Sequence, residues 1–357
     1  MVQNSFKYVF IFILTVSNLL ATSRLPILAT KRAVNDLRFI SQDGKITYYQ
    51  RRSGELILST NYNIKSILKG KRGTNFNIIS SNTRKKLIIS QKDDFHQIYS
   101  LNRSSQIFVT DFLSKNIQPI GSGINPQLHL SDSWISFYGP TKRKIQIVDL
   151  QNPNNNIEIQ ILNKYNPFFI PEVVLIDKHH VLYSDLNETG TTGLILLNTK
   201  NKKSTILEKG KSPLIKYELC ANGNRIFLGK FGIGNSNTSQ ILKAKQNDKS
   251  VKNFKKIYES SNNDIGNIIC TFSQDKIYFV KKYYLDESKD IYEAVSLDLN
   301  SKKLLAISDL QYVTQIINMD GTLLIPSHGK YYVLAGESNK NSDNLQQSNP
   351  SPSNEKK

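Results

Sequence analysis

The chain is poor in the residues on which cross-links and catalysis most often depend. Its 357 residues hold two cysteines, two methionines, one tryptophan (Trp134) and five histidines. Two cysteines exclude both a disulfide-stapled miniature and a thiolate metal centre. Cys220 and Cys270 each stand shortly before an Ile-aromatic pair (Ile226-Phe227 and Ile277-Tyr278), which gives them similar places in neighbouring repeats. Both are expected to be buried thiols, because free cysteine packs as a small hydrophobe. A disulfide is the less favoured alternative, since strands of adjacent sheets often lie too far apart for its narrow geometry.

Other absences exclude whole classes of chemistry. His96, His129, His179, His180 and His328 show no metal-ligand spacing, and His179-His180 read as a turn before the apolar run that follows. No Gly-x-Ser-x-Gly stands for a hydrolase nucleophile. The glycines of Gly229-Lys-Phe-Gly232-Ile-Gly234 lack the Gly-Lys-Ser/Thr of a phosphate loop. Asp43 and Asp132 belong to tight turns, where Asp hydrogen-bonds its own backbone. The pairs Asp93-Asp94 and Asp286-Glu287 sit in polar inserts and read as solvated loop. No catalytic residue, metal ligand or cofactor is assigned. Acidic residues are also scarce, 29 against 47 basic, for a formal net charge of +18. Such a surface attracts polyanions, although frequent Asn, Lys, Ile and Ser also fit an A/T-rich genome. Lysines at exposed turns and strand edges have a structural reason too, because charge discourages edge pairing.

At the N-terminus, Lys7 precedes an apolar run from Tyr8 to Leu20, and Ala21-Thr22-Ser23 supplies small residues at a cleavage site. This is the pattern of a secretory signal, expected to span residues 1–23, with an uncleaved anchor as the rival reading. The expected address is periplasmic, secreted or cell-surface, with no transmembrane span once the signal is removed. Residues 24–35 form a basic lead-in and a candidate ring-closing strand. Residues 337–357 are rich in Ser, Asn, Gln and Pro and are expected to be disordered.

Between these ends the chain is strand-rich and no helical stripe reaches 12 residues. The clearest unit runs from Asn125 to Leu162: a Pro-led strand, the turn Ser131-Asp132-Ser133, the strand Trp134 to Tyr138, a basic turn, and two further strands ending at Asp149-Leu150 and Leu162. Similar units start near Asp36, Thr74, Asn166, Ser212, Ile265 and Val313. Four-stranded repeats of roughly 40–50 residues are the signature of propeller blades. The fold expected for residues 36–336 is an all-β propeller of four-stranded blades, seven favoured and six as the alternative. A strand from the other terminus is expected to complete the last blade.

Asn125-Pro126, Ser131-Asp132-Ser133, Trp134 to Tyr138 and Ile145 to Leu150 resemble the blade repeat of TolB-like and WD-repeat-like propellers. Ser41-Gln-Asp43-Gly44 and Ser273-Gln-Asp275 resemble further copies of the turn, and Val295 to Leu299 the third-strand ending. The resemblance covers the blade repeat, so it implies the fold and not the role of a TolB orthologue.

The function expected is an exported, non-catalytic propeller acting as a protein-binding or scaffold module in the periplasm or at the cell surface. Rigid blades are expected to present variable inter-blade loops on one face around the central channel, where they contact a partner. The candidate loops are residues 91–105 (Asp93, Asp94, Phe95, His96), 185–193 (Asn187, Glu188), 229–240 (Phe231, Asn235) and 281–290 (Tyr283, Tyr284, Asp286). A protein of the cell envelope is the expected partner. Two alternatives stand beside this reading. One is a propeller enzyme with its site at the channel mouth. The other is a protein that binds an anionic wall polymer or lipid headgroup. Basic clusters interleaved with aromatics (Tyr48 to Arg52, Phe254 to Tyr258, Val280 to Tyr284) belong to the second alternative. Nucleic acid is not the expected polyanion for an exported chain.

Overall fold

The structure, a computed structural model, describes residues 27–30, 37–41, 45–60, 63–80, 85–92, 104–139, 141–162, 169–187, 191–209, 216–222, 224–233, 238–260, 263–270, 275–286, 289–307, 317–319, 322–327 and 330–334. The expected signal segment 1–23 and tail 337–357 lie outside them. Ile, Val, Tyr and Phe recur through these segments and favour pleated chain. Short polar turns reverse it, so all the described strands but the first pair antiparallel with a sequence neighbour.

The first four-stranded unit comprises Leu37–Ile40, Ile46–Gln50, Glu55–Thr60 and Ile64–Lys69. A seven-stranded sheet follows, from Asn75–Ser80, Leu87–Lys92 and Ser105–Thr110 through Gln118–His129 to Trp134–Gly139, Lys144–Asp149 and Asn156–Gln160. Its 12-residue strand serves two units. The first half pairs with Ser105–Thr110 as a fourth strand, and the second half pairs with Trp134–Gly139 as a first strand. The fourth unit is Val173–Asp177, His180–Leu186, Thr192–Asn198 and Lys203–Lys209. The fifth is Lys216–Asn222, Arg225–Ile233, Thr238–Lys245 and Lys255–Ser260. The sixth is Asn263–Cys270, Lys276–Asp286, Lys289–Asp298 and Leu304–Ala306. In the seventh, Ile317–Met319, Thr322–Ser327 and Lys330–Leu334 are completed by Ile27–Thr30 from the opposite end of the chain, with Thr30 opposite Lys330. One short helix, Asp248–Val251, interrupts the described strands; its cap Asn247 accepts the Ser250 N–H at 2.8 Å.

Burial shows how the units stand. Second strands are buried on both faces, as in Trp134–Gly139 and His180–Leu186, whereas the fourth strand Ile64–Lys69 is largely exposed. Sheets therefore pack face to face around their inner and middle strands. Phe39, Tyr48 and Leu56 share a core with Phe76, Leu87 and Ile89 of the next unit. Ile88 and Ile107 instead join Ile135 and Phe137. Trp134 and Tyr138 pack with Val181 and Tyr183, and Leu182 turns the other way to meet Tyr217 and Leu228. Phe227 and Ile241 close on Ile277 and Phe279. Trp134 is thus a core residue, 7% exposed.

Two sequence expectations are corrected. The unit expected to open at Asn125 has no break before it, because its first strand and the last strand of the preceding unit are one strand, Gln118–His129. Asn125 adopts a left-handed φ of 51°, and Pro126, which has no N–H, falls at the irregularity in the pairing where none is needed. Cys220 is disulfide-bonded, and the chain holds one other cysteine, Cys270. The inner strands Lys216–Asn222 and Asn263–Cys270 run side by side where neighbouring sheets converge, so they lie closer than sheets do further out.

Gly121 and Gly123 admit the Phe137 ring against the shared strand. A Cβ on Gly123 would lie 2.6 Å from Phe137 Cδ2 and 2.7 Å from the Tyr138 carbonyl oxygen. Gly123→Ala is expected to destabilise by about 1–3 kcal/mol through overpacking, read as a lowered midpoint of denaturant unfolding. An unchanged midpoint would show that the ring has room to move.

Candidate functional site

The antiparallel meander gives each unit two different ends. Turns joining first to second and third to fourth strands lie at one end, and turns joining second to third strands lie at the other. The first end is tied together by a recurring bond. Leu150 N donates to Ser133 O at 2.9 Å, Thr199 N to His179 O at 2.7 Å, Gln246 N to Asn224 O at 2.6 Å and Leu299 N to Asp275 O at 2.7 Å. The third-strand endings also cap their own turns. The side-chain oxygens of Asp149, Asn198 and Asp298 each accept backbone N–H groups two and three residues on. The Ser301 N–H and hydroxyl hold the Asp298 carboxyl below its usual range. The Asp-Leu endings visible in the sequence are parts of this fastening.

All four candidate loops connect second to third strands, within units and not between them, and the strand ends that flank them lie at the opposite end. Two are largely paired strand. Residues 281–286 pair with 289–293, Tyr283 opposite Ile291 and Tyr284 opposite Asp290, with Asp286 opposite Lys289. In 229–240, Lys230 pairs with Gln240 and Ile233 with Thr238; Phe231 lies opposite Lys216 on the other side. These are long hairpins whose polar, aromatic composition reads as insertion. Asn187 closes its own turn, its Oδ1 accepting Thr191 N at 2.9 Å. Asp93, Asp94, Phe95, His96, Glu188 and Asn235 lie outside the described residues.

Titratable groups towards both ends of the third and fourth units are engaged. Asp177 accepts the N–H groups of His179 and His180 and meets His180 Nδ1 at 2.8 Å, while His180 Nε2 lies 3.0 Å from Asn198 Nδ2. Glu158 pairs with Lys144 at 2.6 Å, which holds its carboxyl below the usual range. Asp185, 2% exposed, accepts the Leu162 and Leu186 N–H groups. His129 is buried with Nε2 2.7 Å from Ser136 Oγ. Among the described residues no group of three or more His, Cys, Asp or Glu converges to hold a metal.

Two cavities open at the fastened end. One, of about 1170 Å³, lies between the third and fourth units and has mixed character, with Asp149, Glu158, Lys178, His179 and Lys200 in its walls. The other, of about 700 Å³, belongs to the fifth unit and is lined by Asn224, Arg225, Lys243, Ala244, Lys245, Lys249, Ser250, Asn253 and Lys255. Five of these nine are cationic and none is acidic. Arg225 stands directly opposite Lys245, and Lys243 opposite Lys255. Partial burial holds the Lys243 ammonium below its usual range, and Arg225 and Lys302 push in the same direction. Sequence reading noted Lys255 within a basic-aromatic cluster but missed the rest. The available signal was Lys243-Ala-Lys245, whose period of two places both lysines on one face of a strand.

No family model and no curated protein matches the chain in sequence. Solved structures do match in fold. The β-propeller domain of Cps50 (Swd1) from Myceliophteria thermophila superposes with a TM-score of 0.54 at 10% identity, over 87% of this chain and 99% of that one. The tricorn protease matches with a TM-score of 0.54 at 9% identity over 88% of this chain. Prolyl endopeptidases match with a TM-score of 0.53 at 12% identity over 86%. The chain spans only 34% of the tricorn chain and 52% of the prolyl endopeptidase chain. The protein is a β-propeller. These likenesses establish its fold, shared by scaffolds and enzymes alike.

Burial pushes the His129 imidazole from 6.5 to about 3, so it is neutral in the fold. Because the folded value lies below the unfolded one, the unfolded chain takes up this proton first as pH falls. Stability from this group is complete above about pH 6.5 and is lost progressively towards pH 3. His129→Gln is expected to flatten the fall in stability between about pH 6 and 4, by up to about 1.4 kcal/mol per pH unit. Parallel curves for the two proteins would refute it.

Proposed function

We propose that the chain is an exported, non-catalytic propeller that binds a protein partner of the cell envelope through the end bearing its longest hairpins. The observation that carries this reading is topological. Four segments, 91–105, 185–193, 229–240 and 281–290, connect second to third strands and so share one end. At the other end the turns are fastened to each other. Rigid sheets with variable connections on one side are a common arrangement for recognition. The disulfide at Cys220 suits an oxidising compartment, in keeping with the apolar N-terminal segment.

Two measurements test the two halves of the proposal. Shortening the hairpins, with an Asn-Gly turn replacing residues 231–239 or 283–291, is expected to weaken capture of the envelope partner at least roughly tenfold. The melting temperature should hold, since the new turn suits a two-residue hairpin. Capture that survives both changes would remove this face from consideration. For export, the protein recovered from its cells is expected to begin at Arg24 and to resist thiol alkylation until reduced. An intact Met1 with freely alkylated cysteines would refute it.

A further inference from the structure

We propose that the cationic cavity of the fifth blade is a binding site for a ligand carrying several phosphate groups. It lies at the fastened end, away from the hairpins, and so stands independently of the protein-binding reading.

The register makes the argument. Arg225 faces Lys245 across one strand pair, and Lys243 faces Lys255 across the next. Lys243 and Lys245 are two residues apart on one strand, so all four side chains issue from the same face of the sheet. Like charges directly opposite one another destabilise a sheet, and this face sets two such pairs side by side. Lys249 of the short helix adds a fifth cation to the wall, and Lys302 of the sixth blade contributes repulsion from across the interface. A multivalent anion seated among them converts mutual repulsion into charge-assisted hydrogen bonds.

The shape selects among anions. A concave space of about 700 Å³ is the size of a small-ligand site. It suits a compact or linear ligand that enters it better than a planar lipid surface, which meets only the rim. The cations issue from three adjacent strands, a span of about 10 Å across the sheet. Two or more linked phosphates reach further across it than one.

The test uses the full chain and three probes: orthophosphate, tripolyphosphate, and phosphatidylcholine vesicles containing phosphatidylglycerol. At about 0.15 M salt, where long-range surface attraction is screened, calorimetry is expected to give tripolyphosphate the tightest binding. Lys243→Gln with Lys245→Gln is expected to weaken it at least roughly tenfold. Because that pair also relieves like-charge repulsion, its melting temperature should not fall, and tripolyphosphate should raise it less than it raises that of the unmodified protein. Lys65→Gln with Lys69→Gln removes the same charge from the exposed fourth strand of the first blade and should leave affinity within about twofold. Equal losses from the two pairs would overturn the proposal in favour of diffuse charge. Binding to vesicles that tripolyphosphate does not displace, or no binding of tripolyphosphate at this salt, would overturn it as well.

Discussion

Everything in this propeller depends on side chains of a single strand being divided between two cores. Leu87 and Ile89 pack towards the first blade while Ile88 packs towards the third. Val181 and Tyr183 look back to the third blade, and Leu182 looks forward to the fifth. Ile226 and Leu228 part from Phe227 in the same way. A slip of one residue in any of these strands exchanges both sets at once and spoils two interfaces. The constraint explains why second strands are continuous apolar runs, and why sequence freedom is confined to turns and outer strands.

That division also explains what could be read from the sequence. Apolar runs bounded by polar turns located the strands of most blades, because doubly buried strands have no other composition open to them. What escaped was the partner of each residue. Asn125-Pro126 looks like a break when read locally, yet a left-handed Asn and a pairing irregularity carry the strand through it. Lys281 to Asp286 has the composition of a loop, and only its opposing strand, Lys289–Asp298, reveals a ladder. The cysteines sit in strands far apart in sequence, and convergence of inner strands is a property of the stacked sheets.

The candidate sites follow the same logic. Asp149 and Asp298 attracted notice because they recur at strand ends, and recurrence turned out to report turn chemistry. The lysines of the fifth blade attracted little notice, since lysine is common throughout. Their significance is positional: Lys243, Lys245, Lys255 and Arg225 fall on one face only once three strands are aligned. In a repeat protein, what every unit shares speaks to construction, and a departure confined to one unit is the better guide to a ligand.

The pairing of Ile27–Thr30 with Lys330–Leu334 has a mechanical consequence. The other blades draw their strands from one continuous stretch of chain, but the last is a seam sewn from opposite ends. Pulled by its termini, the molecule would load these few backbone hydrogen bonds first and part there before any core was disturbed. The same seam is the contact with the largest loop to close, so during folding the blades can stack while the ring stays open as an arc. The strength of the circle is therefore set where its residues are fewest.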